Sequence, residues 1–222
     1  MERIPESEAI AAMADARRYS QVMSRRLVQH EYCQLAREVV RMGVPSGGRV
    51  LDVGTGPGFV AIEVARLLQG TGCQVVGLDL SAAMLVVAAE NGAQQGLSDL
   101  LTWREGDARA MPFDDDEFDA VVSSGSLHHW EDPQAVVNEI ARVLKPGGHC
   151  IIRDSKRLQR GGPRLFAWAI GLTLPRDFRE HYWHSIRSSY TPQELTAILE
   201  TSHLRGWRIV EDLLDLMVVK EG

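Results

Sequence analysis

The feature that most constrains the fold is a run of three glycines at alternate positions, Gly54, Gly56 and Gly58, directly after an apolar segment. That segment, residues 49–53, is rich in valine and leucine and predicts a parallel strand buried on both faces. Residues 58–69 predict a helix. Glycine adopts backbone conformations closed to other residues and carries no side chain. The sequence therefore predicts a loop where a ligand can lie against the main chain at the start of a helix.

Glycine loops of several kinds begin in this way, and two of them do not fit. The dinucleotide fingerprint G-x-G-x-x-G requires a glycine where this chain has Phe59. A P-loop requires a lysine followed by serine or threonine, and no lysine follows here. An ordinary tight turn without a ligand stays open from this motif alone.

Predicted strands and helices alternate along the rest of the chain, which indicates βαβ units and a parallel sheet. The 222 residues are 45% hydrophobic, enough for one α/β domain with a core. The predicted strands are 49–53, 74–79, 100–105, 118–123 and 148–153, and the predicted helices are 6–18, 24–42, 58–69, 82–95 and 133–143. A capping box at Thr191 and Glu194 predicts a helix to about Ser202, and strands at 207–213 and 214–220 follow as a hairpin. We expect a doubly wound, mostly parallel seven-stranded sheet with an antiparallel terminal strand, N-terminal helices and an inserted helical cover.

We expect these elements to form a single domain, residues 1–222, with four parts. They are an N-terminal helical cover at 1–43, a cofactor-binding core at 48–154, a substrate cover at 155–190, and a terminal helix and hairpin at 191–222. Residues 153–187 contain eight basic and three acidic residues, although the whole chain has a net charge of −6. A solvated helix face and an anionic substrate both explain this local surplus.

The three cysteines, Cys33, Cys73 and Cys150, are odd in number and far apart, with no C-x-x-C pair. This argues against a disulfide scaffold or a zinc site and fits a reducing cytoplasm. The first residues lack the basic start and apolar core of a signal peptide, and no apolar run approaches 18 residues. We expect a cytoplasmic protein with no membrane span and no metal. Its acidic net charge gives no overall attraction for nucleic acid.

Polar residues stand at the ends of the later strands as well. A carboxylate at Asp79, after the second strand, can accept hydrogen bonds from both hydroxyls of a ribose. Asp107 follows the third strand and can accept from the amino group of adenine. Ser124 lies at the tip of the fourth strand, facing the crevice where parallel sheets bind ligands. Singly, Asp79 could assist a helix cap and Asp107 could close a turn; together, these residues indicate an adenosine-containing ligand.

Five motifs resemble those of the class I S-adenosylmethionine-dependent methyltransferases: Leu-Asp-Val-Gly-Thr-Gly-Pro-Gly (51–58), Gly-Leu-Asp-Leu-Ser (77–81), Gly-Asp-Ala-x-x-Met-Pro-Phe (106–113), Phe-Asp-Ala-Val-Val-Ser-Ser (118–124) and Leu-Lys-Pro-Gly-Gly (144–148). The Met-Pro-Phe-Asp and Leu-His-His-Trp pieces resemble in particular the ubiquinone/menaquinone biosynthesis group and its small-molecule relatives. The resemblance implies S-adenosylmethionine as cofactor and S-adenosylhomocysteine as product. The predicted cofactor-binding residues are Asp52, Gly54, Thr55, Gly56, Gly58, Asp79, Leu80, Met84, Asp107, Ala108 and Ser124. A core role for Met84 stays open.

A sulfonium methyl group needs positioning more than activation, so no catalytic triad is required. A general base is needed when the acceptor is a hydroxyl, a protonated amine or an acidic carbon, and His128 is the candidate. The candidate substrate-pocket residues are His129, His181, Tyr182 and His184. The pair His181 and His184 could suit a metal, but no third ligand is indicated. We expect a small-molecule acceptor of anionic or aromatic character.

The sequence thus predicts an enzyme that transfers a methyl group from S-adenosylmethionine to a small molecule by in-line displacement. One alternative is a protein that binds S-adenosylmethionine without transfer. Another is an RNA or protein methyltransferase. Some enzymes that methylate amino groups of nucleic acids carry the motif Asn/Asp-Pro-Pro-Tyr/Phe after the fourth strand. This chain has Ser-Ser-Gly-Ser at 123–126 instead.

Overall fold

The computed structural model describes residues 3–4, 10–158 and 161–222, except for the side chains of Leu27 and Asp177. The described residues form a seven-stranded sheet flanked by helices. The strands are β1 (Arg49–Val53), β2 (Gln74–Asp79), β3 (Leu101–Glu105), β4 (Phe118–Ser124), β5 (Leu144–Ser155), β6 (Trp207–Glu211) and β7 (Asp215–Lys220). The helices are α1 (Met13–Met23), α2 (Arg26–Arg41), α3 (Phe59–Leu67), α4 (Ala82–Gln94), α5 (Pro133–Val143), α6 (Gly162–Thr173), α7 (Arg176–Ser188) and α8 (Pro192–Thr201).

The strand order is β3-β2-β1-β4-β5-β7-β6. Strands β1 to β5 pair in parallel, whereas β7 runs antiparallel to both β5 and β6. The predicted doubly wound sheet with an antiparallel terminal strand is therefore confirmed. Because the order reverses between β1 and β4, the carboxyl ends of these strands border the crevice where such sheets bind ligands.

Two hydrophobic layers enclose the sheet, because neighbouring residues of a strand point to opposite faces. Leu51 of β1 belongs to the layer that includes Ile140 of α5 and Leu199 of α8. Val50 belongs to the opposite layer, which includes Leu35 of α2 and residues of α3. Full burial of a large apolar side chain contributes about 1.5–3 kcal/mol, so both layers hold the strand ends in fixed positions.

Several boundaries differ from the sequence-based expectation, most of all those of the first helix, which also ends at Met23 and not at residue 18, and the start of β5. The first helix begins at Met13 and not at residue 6, and residues 5–9 of that prediction lie outside the described part. Strand β5 begins at Leu144 and not at 148, because Leu144 pairs with Phe118 before the Lys-Pro-Gly-Gly turn. The ladder resumes at His149, opposite Ala120. The turn therefore lies inside the strand as an irregularity that no local pattern indicates.

The segment predicted only as a cover, 155–190, contains helices α6 and α7. A small cluster joins them, with Leu158, Ala167 and Ile186 buried and Tyr182 half-buried. Helix α6 has one face at the surface, where Trp168 is about half exposed. Among the helices of the described residues, none is both long enough and apolar enough to cross a bilayer.

Candidate functional site

The three glycines of the loop after β1 all have positive φ, at 68° for Gly54, 53° for Gly56 and 80° for Gly58. A Cβ atom at Gly54 would lie 2.5 Å from the Ser126 side chain, and one at Gly58 would lie 2.6 Å from the Trp103 ring. A Cβ atom at Gly56 would meet nothing within 4 Å. That all three glycines let a ligand lie against the main chain stays a prediction. Gly54 and Gly58 admit protein side chains, and Gly56 borders open space.

Asp52 lies beneath this loop and holds it to the start of α3. Its Oδ2 accepts hydrogen bonds from the Thr55 hydroxyl at 2.7 Å and from the Ala61 N–H at 3.2 Å. Burial raises the pKa of Asp52 to about 7, and these two hydrogen bonds partly oppose that rise. Two of the predicted cofactor residues, Asp52 and Thr55, are therefore hydrogen-bonded to each other beneath the loop.

Asp79, at the end of β2, reaches the glycine loop from the neighbouring strand. Its Oδ2 accepts the Gly56 N–H at 2.8 Å, and its Oδ1 accepts the Ser81 N–H at 2.9 Å. Burial raises the pKa of Asp79, while these N–H donors lower it. Each carboxylate oxygen has a further lone pair. Asp79 thus orders the loop and the start of α4, and it keeps acceptor capacity for two hydroxyl groups.

The two apolar residues predicted beside the adenine ring have different surroundings. Leu80 is 58% exposed at the tip of β2. Met84 is buried against Ala16 and Val87, where α1 packs on α4. Its N–H donates to Ser81 Oγ, the cap of α4. Leu80 is available to a ligand, whereas Met84 has the core role that the sequence left open.

Asp107 follows β3 and is paired with Arg109. The guanidinium donates from Nη2 at 2.8 Å and from Nε at 3.0 Å to Asp107 Oδ2, and its Nη1 donates to Glu131 at 2.6 Å. Arg109 lowers the pKa of Asp107. The neighbouring Ala108 packs partly against the core. Sequence reasoning missed Arg109 and Glu131, since their contact joins residues far apart in the chain.

His128 is held by a carboxylate that sequence reasoning also missed. Its Nδ1 lies 2.8 Å from Asp154 Oδ1 and 3.0 Å from Oδ2, and its backbone N–H donates to Oδ2 at 2.9 Å. Both side chains are buried. With the Nδ1 proton donated to Asp154, the lone pair of the imidazole resides on Nε2. This is the tautomer of a general base with its orienting carboxylate.

The tips of β1 and β4 are joined by serine hydroxyls. Ser126 Oγ lies 2.8 Å from Ser123 Oγ and donates to the Val53 carbonyl at 3.2 Å. Ser124 is half-buried at the end of β4, beside Arg153 of β5. Ser126 was not among the predicted site residues. Its side chain occupies the space that a side chain at position 54 would need.

The predicted acceptor residues lie on two elements, the turn after β4 and helix α7. The His129 ring lies 4.1 Å from the His128 ring. His181 and His184 of α7 are exposed, and Tyr182 packs on Trp183 with ring centroids 5.6 Å apart. Among the described residues, no three metal-ligating side chains converge.

Helix α2 covers the glycine loop through an aromatic contact. The Tyr32 ring stacks on Phe59, with centroids 5.7 Å apart and planes at 22°. Burial raises the pKa of the Tyr32 phenol above its usual value, and the charges of Tyr19 and Asp52 raise it further. Tyr32 was not predicted, because its distance from the loop in sequence hides the contact.

Comparison with known proteins finds similarity over the central part of the chain. Residues 51–152 match a family model described as a methyltransferase domain. The 2-phytyl-1,4-naphtoquinone methyltransferase of Synechococcus elongatus is 39% identical over 111 residues, 50% of this chain and 47% of that protein. The ubiquinone/menaquinone biosynthesis C-methyltransferase of Desulfotalea psychrophila is 38% identical over 117 residues, 53% of this chain and 45% of that protein. The matched region thus spans less than half the length of either relative.

The whole chain also resembles a solved structure. A crystal structure described as a SAM-dependent methyltransferase from Aquifex aeolicus superposes with a TM-score of 0.67. It covers 94% of this chain and 97% of its own, at 22% sequence identity. At this identity, the likeness shows the shared fold.

Proposed function

Because residues 51–152 match a model of a methyltransferase domain, we propose that this chain transfers a methyl group from S-adenosylmethionine to a small-molecule acceptor. The observation that carries the proposal is the pairing of Gly56 with Asp79. The one glycine of the loop that borders open space donates its N–H to the carboxylate at the tip of the next strand. The open main chain at Gly56 fits the amino-acid half of that cofactor. The Asp79 carboxylate, which can accept further hydrogen bonds, fits the nucleoside half.

The residues of this edge fit the cofactor piece by piece. The open main chain at Gly56 suits the zwitterionic methionine tail, and Asp79 suits the two ribose hydroxyls. The exposed Leu80 suits one face of the adenine ring. Asp107 suits the adenine amino group, in competition with the guanidinium of Arg109. Asp52 and Thr55 act from below by fixing the loop.

When bound, the cofactor supplies a methyl group activated by its sulfonium charge. The chain's own residues then have to align the acceptor and exclude water, which can lower a barrier by about 7–11 kcal/mol. Tyr32 and Phe59 cover the loop from the α2 side. His128, oriented by Asp154, takes the proton that a hydroxyl, amine or acidic carbon releases on methylation.

The acceptor that we propose is a small molecule with an aromatic or anionic group. The relatives' names include a quinone methyltransferase, and the positive surplus of residues 153–187 favours an anion. We propose that 155–190, with α6 and α7, forms the acceptor cover, since α7 contacts the turn that carries His128. The three free cysteines, two of them buried, support a cytoplasmic location.

The experiment that tests this function is a transfer assay over a panel of phenolic, carboxylated and phosphorylated acceptors. The products are S-adenosylhomocysteine and an acceptor that has gained one methyl group, both identified by mass spectrometry. The variant His128→Asn is expected to slow turnover while cofactor affinity is unchanged. Cofactor binding without transfer to any member of the panel would favour the binding-only alternative.

A further inference from the structure

A second cluster of polar residues lies beside helices α6 and α7, away from the glycine loop. We propose that a cleft lined by Arg157, Arg164 and Arg187 binds an anionic oxygen group, a phosphate or a carboxylate, of the acceptor. The inference rests on the proposed function and names the chemical class of its substrate. We call these three residues the arginine cleft.

The first observation is the buried guanidinium of Arg157. Its side chain is 6% exposed, and its Nη2 donates to Glu194 Oε1. Its Nη1 is buried and has no hydrogen-bond partner among the described residues. A buried donor without an acceptor is rare in native proteins, since the loss of water costs about 1–3 kcal/mol and more for a charged group. A ligand oxygen at Nη1 would remove that cost.

The second observation is the charge around the cleft. Arg164 and Arg187 line the same cavity, and within the described part of the chain neither forms an ion pair. Glu194 is shared, because its Oε2 accepts the Thr191 N–H in the capping box of α8. Glu194 therefore pairs with Arg157 alone, and the described part of the chain records no ion pair for the other two arginines of the cleft. A solvated helix face explains exposed arginines but not the burial of Arg157.

The walls of the cavity suit an organic anion. Trp183 and the apolar side chains of Leu158 and Ile186 form the remaining surface. An indole face can receive the apolar part of a molecule whose anionic end reaches the guanidiniums. The cavity has a volume of about 10 Å³, room for one water molecule. Arg164 is exposed, so its long side chain can turn outward to admit a larger group.

The cleft begins just after the end of β5, the strand that carries the carboxylate of the proposed base. Arg157 follows Asp154 by three residues, a span of at most about 10 Å, and Asp154 orients His128. Arg157 also donates its N–H to the Tyr190 carbonyl at 3.0 Å, which joins the exit of β5 to the start of α8. An anion in the arginine cleft therefore anchors one end of an acceptor whose reacting atom points toward His128.

The test is a calorimetric titration of the full chain at constant ionic strength with inorganic phosphate, acetate, phenyl phosphate and benzoate. We expect saturable binding of at least one anion, and tighter binding of the aromatic anion than of its inorganic or aliphatic counterpart. The double variant Arg164→Gln/Arg187→Gln should weaken that binding about tenfold or more. The matched control Arg176→Gln, an exposed arginine of α7, should leave it unchanged.

Three outcomes would overturn the inference: no saturation by any of the four anions at about 50 mM, equal weakening by Arg176→Gln, or no weakening in the double variant. Preference for phosphates or for carboxylates identifies which anion the acceptor carries. The same preparations are titrated with S-adenosylhomocysteine. Retained cofactor binding without anion binding refutes the arginine cleft alone, whereas loss of cofactor binding in the unmodified chain refutes the proposed function. If the double variant does not fold, Arg157→Lys is titrated in its place, because this variant keeps a cation opposite Glu194.

Discussion

The imidazole of His128 and the carboxylate of Asp154 connect the ends of two parallel strands, with Nδ1 and Oδ1 2.8 Å apart. The Asp154 carboxylate also accepts the backbone N–H of His128 and that of Ser155. These contacts hold the ring in one orientation and favour the tautomer with its proton on Nδ1. A base of this kind acts only if its partner carboxylate is present, which makes Asp154 a positioning residue for the proposed chemistry.

The first prediction concerns this pair. In Asp154→Asn, the amide can donate to Nδ1 and thereby favours the opposite tautomer of His128. For an acceptor that loses a proton on methylation, kcat should fall on the order of 10²-fold or more, because general-base assistance contributes that much. The cofactor Kd should not change. Nitrogen chemical shifts of the His128 ring report the tautomer independently of turnover.

The control for this pair is Asp212→Asn, an exposed carboxylate in the turn between β6 and β7. It should leave both kcat and the His128 shifts as they are. An unchanged tautomer in Asp154→Asn would contradict the assignment of Asp154 as the group that positions the ring.

The second prediction concerns Asp79. Replacement by alanine removes the acceptor of the Gly56 N–H and the proposed acceptor of the ribose hydroxyls. Binding of S-adenosylhomocysteine should weaken by about 1–3 kcal/mol, the loss expected for charge-assisted hydrogen bonds. Asp99→Ala, an exposed carboxylate before β3, is the matched control. Equal affinities of Asp79→Ala and the unmodified chain in calorimetry would remove Asp79 from the site.

The third prediction separates the roles of two glycines. Gly56→Ala places a methyl group in open space, so its cost to folding is the left-handed backbone conformation alone, about 1–2 kcal/mol. Gly58→Ala has the same backbone cost and also a contact 2.6 Å from the Trp103 ring, which adds about 1–3 kcal/mol of overpacking. Urea unfolding measures both free energies of unfolding.

Cofactor affinity should fall more in Gly56→Ala than in Gly58→Ala, although Gly58→Ala is the less stable variant. The methyl group of Gly56→Ala stands where the ligand approaches, so this variant should lose affinity although it remains folded. Comparable stabilities of the two variants would contradict the assignment of Gly58 to protein packing and Gly56 to ligand access.

The fourth prediction is a pH dependence from Asp52. Burial raises its pKa from 3.8 to about 7 in the folded protein. Between these values the folded state binds a proton that the unfolded state has released, so Asp52 lowers the stability as pH rises from about 4 to 7. Each pKa unit between the folded and the unfolded state corresponds to about 1.36 kcal/mol of unfolding free energy. In Asp52→Asn the amide oxygen can still accept from Thr55, and this component of the pH dependence should disappear.

Urea unfolding of both proteins at several pH values in this range measures the effect. The difference in stability between Asp52→Asn and the unmodified chain should grow as pH rises. Parallel stability curves would show that Asp52 ionises in the folded state as readily as in the unfolded chain.

The sequence predicted the sheet because the signals are local: valine-rich strands, a glycine loop and a capping box each span a few residues. It also predicted which strand ends carry Asp79 and His128. It could not predict Asp154 as the partner of His128, since that contact requires the parallel register of β4 with β5. Nor could it show that Trp103 occupies the space left by Gly58, because β3 approaches the loop only in the folded sheet.

The central claim is that the edge formed by Gly56 and Asp79 holds S-adenosylmethionine and its product. Calorimetric titration of the purified chain with S-adenosylhomocysteine tests it most directly. We expect one saturable site per chain with a Kd below about 100 μM, corresponding to roughly 5–6 kcal/mol or more of binding free energy. Absence of binding up to millimolar concentrations, in a protein shown to be folded, would contradict it.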